Sequence, residues 1–391
     1  MILPGATLGI LGGGQLGRMF VAAAQTMGYT VVVLDPDRDS PAAQMANSHI
    51  QASYTDHNAL ARLAGECAAI TTEFENVPAG SLDFLASVRP VRPSGAALAV
   101  TQDRILEKNF LQSNGFDTAA FAVVEQRQGL RAALKQVATP ALMKSSRAGY
   151  DGKGQRWVSN LAEAEMAFDE LGSKPCVLEA GVAIQTEISV VMARGVDGRV
   201  VAYPPSENCH REGILDVSIV PARIPPEIGA RATQITIRIA ELLEYCGVMA
   251  VEFFISKDDN LLVNEIAPRP HNSGHYTLDA CVTSQFEQQV RALCGFPPGD
   301  ARLLSPAVMV NLLGDLWRAG QAPPWEQVLA NPRAKLHLYG KREARPGRKM
   351  GHYTCLSERV EDALSQALAI QKALVGNAAS VQESLPNAAD A

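Results

Sequence analysis

Hydrophobic and polar positions along this chain alternate in two different ways, and the change falls near residue 100. At the start, Thr7 to Leu11 is a short apolar run, followed by GGGQLGRM (Gly12 to Met19) and a stretch of helical period to Met27. Gly28 is a C-terminal stop, and Thr30 to Leu34 is a second apolar run ending in Asp35, so the pattern predicts a βαβ unit. A further strand, Ala68 to Thr72, delivers Glu73 and Glu75 at its carboxyl end. Arg89 to Pro93 (RPVRP) reads as a linker, and Thr101 to Asn114 as a polar helix.

Beyond that point short strands follow one another. Ala141 to Lys144 and Arg156 to Val158 flank a glycine-rich loop, Ser145 to Gln155. Cys176 to Glu179, Thr186 to Ala193 and Arg199 to Tyr203 continue the series, which predicts an antiparallel α+β region unlike the first. Ser284 to Cys294 has helical period and stops at Gly295. Ala307 to Leu313 is a strand, Leu336 to Thr354 is two strands around a basic loop, and Glu361 to Leu374 is a closing amphipathic helix. The tail from Asn377 is rich in Ala, Ser and Asn and is expected to be disordered.

The most informative pattern is Val248 to Tyr276. Two apolar runs, Val248 to Ile255 and Leu261 to Ile266, flank the turn cluster Lys257-Asp258-Asp259-Asn260, which predicts a β-hairpin. A turn centred between Asp258 and Asp259 sets Glu252 across from Glu265, where like charges oppose each other about 5 Å apart at Cβ. One face would carry Val251, Phe253, Ile255, Leu262 and Ile266, the other Ala250, Phe254, Leu261 and Val263, so the sheet is covered on both sides. Two carboxylates in such a setting call for a hard divalent cation, so Glu252 and Glu265 are candidate Mg²⁺ ligands, with Asn264 adding a neutral oxygen. A solvated hairpin with two tolerant glutamates is the plain alternative. Pro268 and Pro270 then fix a loop that presents Arg269, His271 and His275, a set suited to an anionic substrate or, for either His, to packing.

With 391 residues, 47% hydrophobic and 19% charged, the chain fits a globular protein of two or three domains. The net charge of −6 argues against a broad nucleic-acid-binding face. Seven scattered cysteines without a CxxC pair read as a reduced, cytoplasmic protein, and no apolar run reaches membrane-spanning length.

Gly12, Gly14 and Gly17 satisfy GxGxxG, and Asp35 lies near the distance expected for a ribose-binding acid, so a dinucleotide site stands against a plain phosphate or turn role. The Ser145 to Gln155 loop, with Lys144 on the strand before it, reads as a lid over phosphates or as an exposed turn. Lys341, Arg342, Arg345, Arg348 and Lys349 form the concentrated basic patch, matching a phosphorylated substrate or a solvated turn. His210 is placed in a loop.

Taken together, GGGQLGRM, TEFENVP (Thr72 to Pro78), GYDGKGQ (Gly149 to Gln155), NEIAPRPHNSGHYT (Asn264 to Thr277), SQFEQ (Ser284 to Gln288), YGK (Tyr339 to Lys341) and GRKMGH (Gly347 to His352) resemble the N5-carboxyaminoimidazole ribonucleotide synthetases. These are ATP-grasp ligases of purine biosynthesis. The resemblance implies α/β and α+β architecture: a Rossmann-like preATP-grasp domain at 1–100, a central lid at 101–185, a C-terminal α+β domain at 186–376, and the tail. It also displaces the dinucleotide site.

Carried over, the resemblance implies that ATP is met by Arg104, Lys144, Gly149, Tyr150, Asp151, Gly152, Lys153, Gly154, Gln155, Glu179, Ala180, Gly181, Val182, Glu187, His210, Asn264 and Glu265. Bicarbonate and 5-aminoimidazole ribonucleotide would be met by Gln15, Leu16, Glu73, Glu75, Arg269, His271, Lys341 and Arg348. Tyr150, Asp151 and Lys153 join Arg269, His271 and Lys341 as catalytic candidates. The implied cofactor is MgATP, the co-substrate bicarbonate, and the assembly a homodimer. AGVAI (Ala180 to Ile184) departs from the bulkier residues expected after Glu179, which bears on pocket shape alone. A formate-activating glycinamide ribonucleotide transformylase is the nearest alternative, and a nicotinamide-dependent oxidoreductase or nucleotide sensor the more distant one.

Overall fold

The computed structural model describes residues 1–147, 154–318 and 321–376. The lid residues Gly149 to Lys153 and the tail from Asn377 lie outside these.

The first sheet is built from β1 (Thr7–Leu11), β2 (Thr30–Leu34), β3 (Ser48–Ile50) and β4 (Ala69–Thr72), in the order β3-β2-β1-β4 with every pair parallel. β1 and β2 are runs of mostly buried Val, Ile and Leu and β4 is buried throughout, as expected when helices cover both faces. The Gln15–Thr26 helix follows β1 and buries Leu16, Met19, Phe20, Val21 and Ala24. RPVRP is not a linker. Val91 forms a parallel bridge to Ile70, with the Ile70 N–H donating to Pro90 and the Arg92 N–H to Ile70, so the segment extends the sheet edge next to β4. The expected helix at 101–114 is cut short at its start: Asp103 caps an Arg104–Ser113 helix through the Ile105 N–H, and Thr101 ends the preceding one.

The second sheet has the order β5-β8-β6-β7, from β5 (Phe121–Val124), β6 (Ala141–Ser145), β7 (Gln155–Val158) and β8 (Cys176–Ala180), all antiparallel. The third and largest runs β14-β13-β9-β11-β12-β15-β17-β16, with β10 on β9. Its members are β9 (Ile184–Arg194), β10 (Val200–Ala202), β11 (Ser206–Arg211), β12 (Ile214–Val220), β13 (Gly247–Ser256), β14 (Leu261–Ala267), β15 (Ala307–Leu313), β16 (Ala334–Leu338) and β17 (Lys349–Leu356). His210 therefore sits in a strand, not a loop.

β13 and β14 form the expected hairpin, and Glu252 is the direct partner of Glu265. The pairing arises differently from the expectation. Ile255↔Leu261 and Phe253↔Val263 set a turn one residue tighter, which by itself would face Glu252 with Asn264; a β-bulge between Phe253 and Glu252 takes up Asn264 and restores the rung. The bulge also changes the faces. Leu261 and Val263 join Val251, Phe253, Ile255 and Ile266 in one core cluster, whereas Leu262 leaves it; Ala250 and Ala267 pack on the opposite side.

The Gln285–Cys294 helix matches the sequence reading. Ser284 caps it through the Glu287 N–H, and Gly295, at φ +77°, ends it in the left-handed region. It packs against the Gln15–Thr26 helix and the third sheet, joining the first sheet to the third.

Candidate active site

All three sheets contribute to one cavity of about 750 Å³. From the first come Gln15, Leu16, Glu73 and Glu75; from the second, Leu142, Lys144 and Gln155; from the third, Ile184, Glu187, His210, Glu252, Phe254, Asn264, Glu265 and Lys349. Arg104 and the loop residues Arg269, His271 and Asn272 complete it.

The glycine loop explains why the first sheet does not offer a dinucleotide site. The Gly13 N–H donates to Asp35 Oδ2 at 2.7 Å, and the Gly14 and Gly17 N–H groups donate to the two oxygens of Glu73 at 2.6 and 2.5 Å. Asp35 also accepts from the Tyr54 hydroxyl at 2.6 Å. The free donors that would hold a pyrophosphate are thus bound to the chain's own acids. A Cβ on Gly12 or Gly14 would run into Glu73, so those positions need glycine for the approach of that carboxylate.

Burial pushes the Glu73 carboxyl up to about 7, against the pull of the two N–H groups. A raised carboxyl favours the protonated folded state, so its share of stability is fullest below about pH 4.5 and is lost as pH rises through 7. Melting temperatures of Glu73→Gln and the parent, compared at pH 5 and pH 8, are expected to move in the variant's favour at the higher pH. A difference that stays constant with pH would contradict this assignment.

In the same cavity, Arg269 forms a two-pronged ion pair with Glu75, linking its loop to the end of β4. Burial would raise Glu75, but the guanidinium outweighs it and holds the carboxyl at about 2. Glu252 Oε1 lies 3.1 Å from His271 Nε2, and Glu265 Oε2 lies 3.1 Å from Arg104. Against the cost of burial, His271 and His210 hold Glu252 low. His210 Nδ1 is 3.0 Å from Glu187, whose charge raises the histidine despite its burial.

Beneath this pair lies a buried set of charges that the sequence reading did not single out. Lys108 donates to the Asn264 carbonyl at 2.9 Å and lies 3.5 Å from Glu179; Glu107 accepts the Ile266 N–H at 2.6 Å. Their Arg104–Ser113 helix therefore grips β14 on both sides of Glu265. Adjacent opposite charges in a helix resemble a solvated surface pair, which hid them.

Several carried-over positions lie elsewhere. Glu179 is buried under the cavity wall, 2.9 Å from Lys144, and two lysines hold its carboxyl at about 2 against desolvation. Ala180, Gly181 and Val182 line a separate groove. Lys341 donates to the Lys349 carbonyl at 2.6 Å and Arg348 to the Glu343 carbonyl at 2.9 Å; neither lines the cavity, while Lys349 does. Arg342 pairs with Asp39 and Arg345 with Glu343, so those two members of the patch are engaged at the surface. Strand alternation from β17 would have pointed to Lys349. His275 is fully buried against Phe286, Tyr339 and His352, a packing histidine.

Whether Glu252 and Glu265 suit a magnesium ion is tested by what surrounds them. Among the described residues no group of three or more His, Cys, Asp or Glu side chains could hold a metal. The pair is instead joined by Asn264, whose buried Oδ1 has no hydrogen-bond partner. Two carboxylates and an amide oxygen facing an open cavity fit Mg²⁺, which keeps waters and takes phosphate oxygens from its substrate.

A parallel α/β unit followed by two antiparallel sheets that enclose a lysine and facing carboxylates defines an ATP-grasp ligase. Residues 109–286 match the ATP-grasp domain, 5–102 the ribonucleotide synthetase preATP-grasp domain, and 307–366 the phosphoribosylaminoimidazole carboxylase C-terminal domain. The chain is 44% identical to the N5-carboxyaminoimidazole ribonucleotide synthase of Bacillus subtilis, over 92% of its own length and 93% of the relative's. Among solved structures it resembles the N5-carboxyaminoimidazole synthetase of Staphylococcus aureus complexed with ADP (TM-score 0.89, 39% identity, covering 95% and 98% of the two chains). It also resembles the Aspergillus clavatus synthase in complex with ADP and 5-aminoimidazole ribonucleotide (TM-score 0.87, 30% identity, again 95% and 98%). The chain belongs to the N5-carboxyaminoimidazole ribonucleotide synthase family.

Proposed function

We propose that this ligase carboxylates the exocyclic amine of 5-aminoimidazole ribonucleotide, using ATP and bicarbonate and releasing ADP and phosphate. The observation that carries it is the single cavity in which Lys144 and the Glu252–Glu265 pair face Gln15, Leu16 and Glu73 of the first sheet. That arrangement brings a phosphate-neutralising wall and a second, nucleotide-sized wall to one space.

Bicarbonate is a poor electrophile, and its activation is the reason for ATP. An oxygen of bicarbonate attacks the γ-phosphorus and the bond to ADP breaks, giving carboxyphosphate. The amine then attacks the carboxyl carbon, directly or as CO₂ released in the enclosed site; phosphate leaves and the amine loses a proton. Lys144 offsets charge on the transferring phosphoryl group, work that is mostly positioning and electrostatics. Arg269, held by Glu75, and His271, held by Glu252, bind bicarbonate or its adduct. Asp151 takes the amine proton, and Tyr150 and Lys153 join it as catalytic residues. Glu252, Glu265 and Asn264 would hold Mg²⁺, which would supply charge neutralisation for the transferring phosphoryl group.

Glu187 and His210 frame the ATP ribose, and Lys341 and Arg348 serve the substrate phosphate. We divide the chain at residues 100 and 185; the separation into three sheets supports this reading, with β9 of the third sheet beginning at Ile184. We place the enzyme in the cytoplasm as a homodimer; its seven unpaired cysteines suit a reducing compartment. Phosphate release from MgATP, measured with and without each co-substrate, tests the whole. It is expected to require both 5-aminoimidazole ribonucleotide and bicarbonate, and formate is expected not to replace bicarbonate. Release driven by formate would move the chain to the transformylase reaction.

A further inference from the structure

The SQFEQ run and the residue that follows it, Gln289, take no part in the chemistry above, yet they hold three buried amides; Gln288 bonds Gly299, and the other two, Gln285 and Gln289, turn toward the site. Gln285 and Gln289 are one helical turn apart, at i and i+4, and so share a face of the Gln285–Cys294 helix. Gln285 Oε1 accepts the His271 N–H at 2.8 Å, and its Nε2 donates to the His271 carbonyl at 2.8 Å and to His275 Nδ1 at 3.1 Å. One side chain thereby gives His271 the two backbone bonds that a neighbouring strand would give. The fit is close: a Cβ on Gly274 would lie 2.7 Å from Gln285 Oε1. A turn further on, Gln289 Nε2 donates to Thr71 Oγ1 at 3.1 Å and to the Thr72 carbonyl at 3.3 Å, at the end of β4 immediately before Glu73.

The two amides therefore tie the His271 loop and the end of β4, which both contribute residues to the cavity, to a single rigid element. The helix itself is fixed at its start by Ser284 and by Thr277 Oγ1, which accepts the Gln285 N–H at 3.0 Å. We propose that Gln285 and Gln289 are positioning residues that set the distance between His271, where the activated carboxyl group is held, and the Glu73–Glu75 wall, where the accepting nucleotide lies. This rests on the carboxylation proposed above. A shift of about 1 Å at such a site costs about a hundredfold in rate, because the reacting atoms leave their near-attack arrangement.

The test uses the full-length enzyme and the variants Gln285→Met and Gln289→Met, which keep the side-chain volume and remove the amide. Gln285→Glu, which keeps the acceptor for the His271 N–H, serves if the Met variant does not fold. Each is measured for kcat, for KM of ATP and of 5-aminoimidazole ribonucleotide, and for ADP formed per carboxylated product. The expected result is a kcat lower by about tenfold or more, a KM for ATP within about twofold of the parent, and more ADP per product, since activated carboxyl is lost before transfer. In a His271→Ala background the Gln285 substitution is expected to add less than about a twofold loss, because the side chain it positions is gone. Unchanged kcat, or losses that simply multiply in the double variant, would overturn the proposal and leave Gln285 a packing residue. A parent enzyme that does not carboxylate the nucleotide would instead overturn the proposed reaction, so the two failures are told apart before any variant is made.

Discussion

Replacing Glu252 or Glu265 by glutamine is expected to lower MgATP-dependent phosphate release by about 10²–10³-fold, the range found when one preorganised electrostatic group is removed from a transition state. The expectation follows from the rung they share. Glu252 lies beside His271, with His210 and Lys349 also acting on it, and Glu265 lies beside Arg104; the space between the two carboxylates opens to the cavity beside the unsatisfied Asn264 oxygen. Glutamine is near-isosteric, so melting temperature should hold while turnover falls. Excess EDTA should abolish activity in the parent, and added Mg²⁺ should restore it. A Glu252→Gln enzyme within twofold of the parent, or one indifferent to EDTA, would remove the metal from this pair.

The second large effect is expected at Arg269. Replacing it with alanine leaves the Glu75 carboxylate, otherwise held at about 2, in a part-buried site with no guanidinium. The stability cost should be about 2 kcal/mol, between an exposed pair and a fully buried one. Carboxylation should fall by about 10²-fold or more, because the same guanidinium faces the cavity. Since Glu75 is depressed, its contribution is present above about pH 4.5 and lost as pH falls toward 2. The melting-temperature gap between parent and Arg269→Ala should therefore be wide at pH 7 and narrow on acidification below 4. Glu75→Gln should lose less, because it keeps the arginine. A gap unaltered by pH would show that the pair adds nothing to the fold.

How far the sequence could be read depended on the range of the contacts involved. Period and capping alone located the βαβ unit, the Ala307–Leu313 strand and the Gln285–Cys294 helix, since a Ser at the start and a Gly at the end act within a turn of themselves. The Glu252–Glu265 pairing was also legible, but through compensating errors. The turn is tighter than assumed, and an unforeseen bulge at Asn264 returned the register while moving Leu261, Leu262 and Val263 to other faces. What escaped were contacts between residues far apart in the chain. Glu73 meets Gly14 across 59 positions, Lys108 meets Asn264 across 156, and Gln289 meets Thr71 across 218. Nothing local distinguishes such side chains from solvated ones. The family motif carried Lys144, Glu187, His210 and Arg269 to the cavity, whereas Lys341 and Arg348 do not line it and Lys349 does.

The saturated glycine loop has a practical bearing on inhibitor design. Compounds built to imitate a pyrophosphate would meet two internal carboxylates in the groove where dinucleotide-dependent enzymes offer naked amides. Anionic scaffolds of that type should be repelled there, so selective chemistry has better prospects with neutral or cationic heterocycles seated against Gln15 and Leu16.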